Sequence, residues 1–406
     1  MYPHDMGIGG SQLNAIELAG AVRDLGHEVA LFGRPGALNA RAAQLGLDFI
    51  ESPDPTRRPS AAVIRSLRSL ARNRGLDVVH GYEWPPTIEA RLACWGLSRT
   101  VCVSTVMSMS VAPFIPRHVP LVVGTKQIAA AEGARANVTV LEPPVDLEHN
   151  RLPPQGEIDA FRLSRGLTDD LLVVCVTRLA AELKLEGLLK AIQVVPTLHP
   201  GTQLLLVGDG PARDVVSTAA AAVNDRLGRR AVVLTGVMPD PRLAYGAADV
   251  VLGMGGSALR GMAFGKPLVV QGEQGFWCEL APGTLDGFLW TGWYGVGPGE
   301  AHGGAALAAA LTPLLADASL RAERGRFARH TVEELFSLQS AAAIQVEVYE
   351  RALGMPPRGI RPLLQDASGM AGLARHIARR RLLRWRGDAV SDDFNARPTV
   401  RQRAEP

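Results

Sequence analysis

Arg178 and Lys184 are the residues of this sequence whose type and position best suit chemistry on an anion. Both follow the apolar run Leu171 to Thr177, which reads as a buried strand, and Lys184 adjoins a helical pattern over Leu185 to Val195. Two cations just past a strand end can grip a diphosphate through charge-assisted hydrogen bonds, although solvated surface charges would look the same. The chain has four lysines, Lys126, Lys184, Lys190 and Lys266, against many arginines, and a lysine kept at this place favours a role.

Three glycine loops stand in comparable places. Gly7-Ile8-Gly9-Gly10-Ser11 precedes Leu13, Ile16, Leu18, Ala21, Val22 and Leu25 at helical spacing. Backbone N–H groups of Gly9 and Gly10 at that helix start suit an anion, with a plain tight turn as the alternative. Gly208-Asp209-Gly210-Pro211 follows the strand Gln203 to Val207, and Asp209 there reads first as a turn residue. Gly253-Met254-Gly255-Gly256-Ser257 follows the strand Asp249 to Leu252. Its glycines, with Ser257 as N-cap of a helix over Ala258 to Phe264, form a patch of N–H donors that can complete a diphosphate cradle without a metal. Neither half of the chain holds a G-x-G-x-x-G in register with an acidic residue about 20 residues on, which disfavours a dehydrogenase.

The elements that must position these residues alternate. Glu28 to Phe32, Asp77 to His80, Thr100 to Val106, Leu121 to Gly124 and Val138 to Leu141 read as strands. Helical stretches at Ala61 to Arg74, Thr87 to Trp95 and Lys126 to Gly133 separate them, which predicts a mostly parallel sheet covered on both faces. The opening order of loop, helix and strand leaves the first strand either as a stub at Met1 and Tyr2 or outside the sequence. Pro143, Pro144, Pro153 and Pro154 mark a linker, and the boundary is set at residue 150. The alternation restarts at Leu171 and runs to a strand at Pro267 to Val270, so residues 151–335 form a second doubly wound unit. A last helix is expected from Val332 to Leu353, and residues 355–406 are expected as a basic tail. Arg375 to Arg386 holds six arginines with Leu382, Leu383 and Trp385. That tail reads as solvated or disordered, with a membrane-surface contact as the alternative.

Composition narrows the class. At 406 residues, two domains are expected, and 47% hydrophobic residues suffice for two cores. A net charge of +3 does not point to nucleic acid as a partner. Cys94, Cys102, Cys175 and Cys278 lack metal or C-x-x-C spacing, so no zinc site or disulfide is expected and the chain reads as reduced and cytoplasmic. No run of about 18 apolar residues and no signal-peptide pattern is present, which reads as soluble.

Together the pieces resemble glycosyltransferase family 4 of the GT-B fold, from Gly9 to about Leu353. "LGHEV" (Leu25 to Val29), "DVVH" (Asp77 to His80) and "EPPVD" (Glu142 to Asp146) carry the likeness in the first half. "TRLAAELKLEGLLKAI" (Thr177 to Ile192), "LLLVGDGP" (Leu204 to Pro211), "GVMP" (Gly236 to Pro239) and "AADVVLGMGGSALRGMAFGKPLVV" (Ala247 to Val270) carry it in the second. The resemblance implies two Rossmann-like domains facing a cleft, the first reading the acceptor and the second the nucleotide-sugar donor, UDP- or GDP-linked. Gly9, Gly10, Gly208, Val237, Gly255, Gly256 and Ser257 are then donor contacts, with Arg178 and Lys184 on the phosphates. It implies a retaining transfer with no cofactor or metal, in which the leaving phosphate takes the acceptor proton.

The sequence departs from the family twice. Arg260 stands where the family carries a glutamate that holds the ribose, and Glu273 in "QGEQGF" is the available substitute. Met107 takes the usual place of a histidine, which leaves His80 as the catalytic candidate, or as a strand-end histidine bonded to backbone. A 2-epimerase-like enzyme of the same fold and a catalytically silent nucleotide-sugar binder are the alternative readings.

Overall fold

The apolar runs become parallel strands because residues of alternating parity enter apolar clusters on opposite sides of the same sheet. The computed structural model describes residues 1–55, 57–133, 135–167, 171–355, 360–386 and 394. It divides into one unit of Met1–Pro144 with Leu338–Val400 and another that includes Val145–Ser337.

In the first unit, β1 (Ala30–Gly33) pairs in parallel with β2 (Asp48–Glu51). The strands β3 (Val78–Tyr82), β4 (Val101–Val106), β5 (Leu121–Val123) and β6 (Val138–Val140) form a parallel sheet in that order. Parallel bridges from Tyr2 to Gly81 and from Asp5 to Arg34 place the stub Met1–Asp5 between β1 and β3. The Tyr2 amide donates to the His80 carbonyl at 2.7 Å, and the Tyr82 amide donates to the Tyr2 carbonyl at 3.0 Å. The first strand is thus realised as a stub. The edge strand β2 escaped sequence reading because only Phe49 and Ile50 are apolar in it and both are half-buried.

In the second unit, β7 (Leu172–Val176), β8 (Gln203–Val207), β9 (Val232–Gly236), β10 (Val250–Gly253), β11 (Leu268–Gln271) and β12 (Trp277–Glu279) stand in the order β12-β11-β10-β7-β8-β9. All neighbours are parallel except β12, which runs antiparallel to β11. Leu172 and Val174 enter one core with Leu205 and Val251, whereas Val173 and Cys175 enter the other with Leu204, Leu206 and Leu252.

The unit boundary falls between Pro144 and Val145, not at residue 150. The Val145 amide donates to the Phe336 carbonyl at 2.8 Å, which pulls residues 145–150 into the second unit. Val332 to Leu335 close the preceding helix Ala318–Leu335, while the last helix expected, from Val332, starts at Leu338 and runs to Leu353 as a part of the first unit. Its Leu338, Ala341, Ala342, Val348 and Ala352 pack with Leu18, Val22, Val103, Val122 and Leu141.

The expected basic tail is also corrected. Ile360–Trp385 is a helix of the first unit, while residues 387–393 and 395–406 lie outside the described ones. Arg91 donates from Nε to Asp366 Oδ1 at 3.0 Å and from Nη2 to Oδ2, so a buried two-pronged ion pair holds that helix to Trp84–Ala93. Gly369 lies so close to the Phe114 carbonyl that a Cβ there would stand 2.7 Å from it. Its distal end keeps Arg375, Arg379, Arg381, Arg384 and Trp385 exposed. No single described helix is long and apolar enough to cross a membrane.

Removing one member of a buried ion pair strands the other charge, at a cost of about 3–5 kcal/mol. Asp366→Ala should therefore shift the urea transition of the first unit to lower denaturant by that equivalent. An unchanged transition would show that the pair does not hold the helix.

Candidate functional site

The strand order of the second unit decides which loops can meet. From β7 the chain runs to β8 on one side, while β10 arrives on the other, so the loops after β7 and β10 diverge from a switch point. Open α/β sheets bind ligands in the crevice at such a point, beyond the carboxyl ends of the strands. The predicted residues of this unit all lie on that edge. Val237 follows β9, Gly208 follows β8, Arg178 and Lys184 follow β7, Gly255 to Arg260 follow β10, and Glu273 follows β11. Five adjacent strands deliver them in spatial order.

Backbone contact fixes the loop that carries Arg178. Thr177 N donates to the Val207 carbonyl at 2.9 Å, Leu179 N to Asp209 at 3.0 Å, and Ala212 N to Leu179 at 2.9 Å. Gly208 has φ of +141°, and a Cβ on it would stand 1.9 Å from the Thr177 carbonyl oxygen. No other residue fits there, and Arg178 is left exposed above the junction. Asp209 serves this turn: Gly210 N donates to it at 2.7 Å and Arg213 Nη1 at 2.6 Å. The Gly210 amide and the Arg213 guanidinium hold its carboxyl below the usual range.

Lys184 is half-buried at the start of the helix Leu185–Val194, after Leu183 at a φ of +62°. Gln271 Nε2 donates to the Lys184 carbonyl at 3.2 Å, which ties this turn to the end of β11. Burial lowers the Lys184 ammonium to about 8, and among the described residues it meets no carboxylate. Glu186 lies in the first turn of that helix and accepts from Gln274 N at 2.9 Å and Gly275 N at 2.6 Å. Sequence reading missed this brace. Glu273 receives a hydrogen bond from Tyr294 Oη on one carboxylate oxygen. Val237 is 52% exposed, so an apolar surface is open at the β9 end.

The loop after β10 uses its glycines differently. A Cβ on Gly253 would stand 2.8 Å from the Ala258 Cα, so that glycine serves loop packing. Gly255, at a φ of +55°, is the helix N-cap and would meet nothing within 4 Å. The helix starts at Gly256, one residue before the expected cap, because Ser257 Oγ is bonded to the Met254 backbone: it accepts from N at 3.2 Å and donates to O at 3.0 Å. The reading of Ser257 as the N-cap is corrected. Arg260 stands in this helix with Nη1 3.5 Å from where a Gly256 Cβ would be. A guanidinium thus leans toward the positive end of the helix, an arrangement that favours an anion in front of both.

In the first unit, Gly9 is the N-cap of Gly10–Asp24, whose first turn has no acidic residue, and a Cβ on Gly10 would meet nothing within 4 Å. His80 is a correction. It is 1% exposed, with Nδ1 bonded to Tyr349 Oη at 2.8 Å and Nε2 to Thr105 Oγ1 at 2.7 Å. Burial drives its pKa well below the usual histidine value. Both nitrogens are used, so this imidazole supports the fold and has no lone pair for a substrate.

Two residues that sequence reading passed over stand at the carboxyl ends of neighbouring strands with positive φ, His4 at +77° and Glu83 at +66°. Such backbone strain clusters at functional sites. Glu83 accepts from Ser11 Oγ at 3.1 Å, Met107 N at 3.0 Å and Ser108 Oγ at 2.6 Å, joining three loop ends. His4 Nδ1 donates to Asp5 Oδ2 at 3.1 Å, and Asp5 Oδ1 accepts from Gly7 N at 2.9 Å. The available signal was their place: His4 just before the first glycine loop, Glu83 just after "DVVH". Among the described residues, no three His, Cys, Asp or Glu converge as a metal-binding group.

Residues 8–121 match Glycosyltransferase Family 4, and residues 170–317 match Glycosyl transferases group 1. A glycosyltransferase from Rickettsia africae ESF-5 has a similar structure, with TM-score 0.69 at 16% identity, over 87% of this chain and 99% of that one. Anabaena Alr3699/HepE in complex with UDP and glucose gives 0.65 at 18%, over 86% and 98%. The catalytic domain of starch synthase IV from Arabidopsis thaliana, bound to ADP and acarbose, gives 0.62 at 13%, over 87% and 100%. No curated protein matches the sequence. The fold these likenesses define is GT-B. With both halves matched, the chain is a GT-B glycosyltransferase that resembles family 4.

A lysine near 8 loses its charge just above neutrality, and an anion binds the charged form. Affinity for a nucleoside diphosphate should therefore fall about tenfold between pH 7 and pH 9 through Lys184. In Lys184→Arg, whose guanidinium stays charged, that fall should vanish when calorimetry is run on both proteins with the same ligand. Equal slopes would remove Lys184 from the anion site.

Proposed function

We propose that this chain moves a hexosyl or related group from a nucleoside-diphosphate sugar to an acceptor hydroxyl, with retention and without a metal or other cofactor. The observation that carries this reading is the convergence of Arg178, Lys184 and the open glycine loop at Gly255 on the carboxyl edge of adjacent strands β7 and β10. In that reaction the bond from the anomeric carbon to the phosphate oxygen breaks as the acceptor oxygen bonds to the carbon, and the departing phosphate takes the hydroxyl proton. Charge grows on the departing diphosphate, and two cations with N–H groups at a helix start stabilise it as it forms. Preorganised positive charge supplies what a divalent ion would otherwise supply. Glu273 is the carboxylate available to accept from ribose hydroxyls, and Val237 offers apolar surface to a base. UDP-glucose is the first donor to try, because Anabaena HepE has been solved with it.

The decisive assay is turnover of UDP-, GDP- and dTDP-sugars with product analysis. Arg178→Ala should weaken nucleoside diphosphate binding roughly ten- to a hundredfold, as a charged hydrogen bond worth about 1.5–3 kcal/mol is lost. Turnover should survive EDTA. Loss on chelation with recovery on adding Mg²⁺ or Mn²⁺ would refute the metal-free cradle, and an altered nucleotide sugar as product would indicate an epimerase.

One observation favours a second reading, a nucleotide-sugar binder without turnover: Arg260 is donor-only and cannot accept from ribose hydroxyls as a glutamate does. If Arg260 serves the phosphates, Arg260→Glu should weaken donor binding, and the loss should shrink at higher ionic strength as salt screens the repulsion. Tighter binding by Arg260→Glu would instead mark a degraded donor site and put the silent binder first.

A further inference from the structure

The helix Ile360–Trp385 turns one stripe to the first unit and the opposite stripe to solvent. Asp366, Gly369 and Leu373, three and four positions apart, are buried where Arg91 and Phe114 pack on it. Half a turn round, Leu364, Ala371, Arg375, Ala378 and Leu382 recur at helical spacing, and all are exposed. Ile360 at 77% and Trp385 at 84% exposure stand at the two ends of that face. Apolar side chains on the outer stripe of a docked helix gain nothing from burial within the chain, and in such a setting they mark an interaction surface.

The charge on this helix is one-sided. Between Ile360 and Arg386 the sequence holds seven arginines and a single acidic residue, Asp366, which Arg91 occupies. Arg375, Arg379, Arg381 and Arg384 are exposed, and among the described residues none of them meets a carboxylate. The helix Ala318–Leu335 shows the contrast, since its exposed charges pair one turn apart, as Arg329 does with Glu333.

Beside the arginine-rich helix, an apolar cavity of about 200 Å³ opens among Ile88, Leu92, Trp95, Phe114, Leu363 and Met370. Its charged lining groups, Arg91 and Asp366, neutralise one another. Trp95 and Leu363 on its wall are themselves exposed, so apolar surface continues from the helix toward Trp95.

We propose that the outer face of Ile360–Trp385 is a docking surface for an anionic membrane, with the helix lying in the plane of the headgroups. Leu364, Leu382 and Trp385 enter the boundary of the acyl chains, and the exposed arginines meet lipid phosphates. Charge and apolar surface together select this occupant. Nucleic acid would satisfy the arginines and leave Ile360, Leu364 and Leu382 in water, whereas an anionic bilayer takes both. The surface belongs to the first unit alone and does not depend on the chemistry of the donor site.

The test is flotation of the full chain with vesicles of phosphatidylcholine, alone or with phosphatidylglycerol added. The chain should float with the anionic vesicles only, and less of it at high salt, as screening weakens the attraction. Replacing Arg375, Arg379 and Arg381 together by Gln should weaken binding roughly a hundredfold, and replacing them by Lys should keep it. Trp385→Ala, which leaves the charge unchanged, should weaken vesicle binding about tenfold through lost apolar burial. A parent that stays unbound with anionic vesicles would overturn the proposal, as would equal binding by the parent and the glutamine variant. Retention on a DNA duplex without flotation would assign the face to nucleic acid instead.

Discussion

In the second unit every central strand sends neighbouring residues into two separate apolar cores. Leu172 and Val174 face one while Val173 and Cys175 face the other, and β8 repeats the pattern with Leu205 and Val207 against Leu204 and Leu206. A charge within such a strand would lose its water on either face, a desolvation loss of several kcal/mol per ion. Polar chemistry is therefore expelled to the strand ends. The parallel arrangement of β7 to β11 turns their carboxyl ends to one edge, so the position of a residue after its strand becomes its position in the candidate site. Lys184 shows the limit of this rule, since even a half-buried place at the edge lowers its ammonium to about 8.

Glycine does two kinds of work along that edge, and only geometry separates them. Gly208 and Gly253 exist because neighbouring backbone comes within 1.9 Å and 2.8 Å of where their Cβ would stand. They bring loops together and thereby set the level of Arg178 and of the helix start. Gly10 and Gly255 have open space where a side chain would be, which is what close approach of a ligand to the backbone requires. Ser257, the natural cap by its type, is spent on closing the Met254 turn, so the N–H groups at that helix start meet no cap from its side chain.

The first unit stores its strain where its strands end. Glu83 holds a positive φ while its carboxylate collects Ser11, Met107 and Ser108, and His4 holds another beside Asp5. Rigid support behind them comes from far along the chain. Tyr349 bonds His80, and the helices Leu338–Leu353 and Ile360–Trp385 pack on this unit through Val348, Ala352 and Leu373. The strand-end residues near the start are thus braced by the last described helices.

Much was legible without coordinates. The apolar runs over Leu171 to Thr177 and Gln203 to Val207, their alternation with helical spacing, and the glycine loops after them are local patterns, and local patterns specify strands, helices and turns. Those same patterns marked Arg178, Lys184 and Gly255 as edge residues, because each lies between a strand and the helix that follows it. What periodicity could not carry is anything that depends on contacts between distant residues. The burial of His80 needs Tyr349 and Thr105, the docking of the arginine-rich helix needs Arg91 against Asp366, and the boundary at Val145 needs Phe336. The sequence determined the elements and the residues at their ends, since hydrophobic spacing and glycine act over a few positions. Tertiary structure alone decided which strands became neighbours and which polar groups were consumed by the fold, because those outcomes are set by long-range burial and hydrogen bonding.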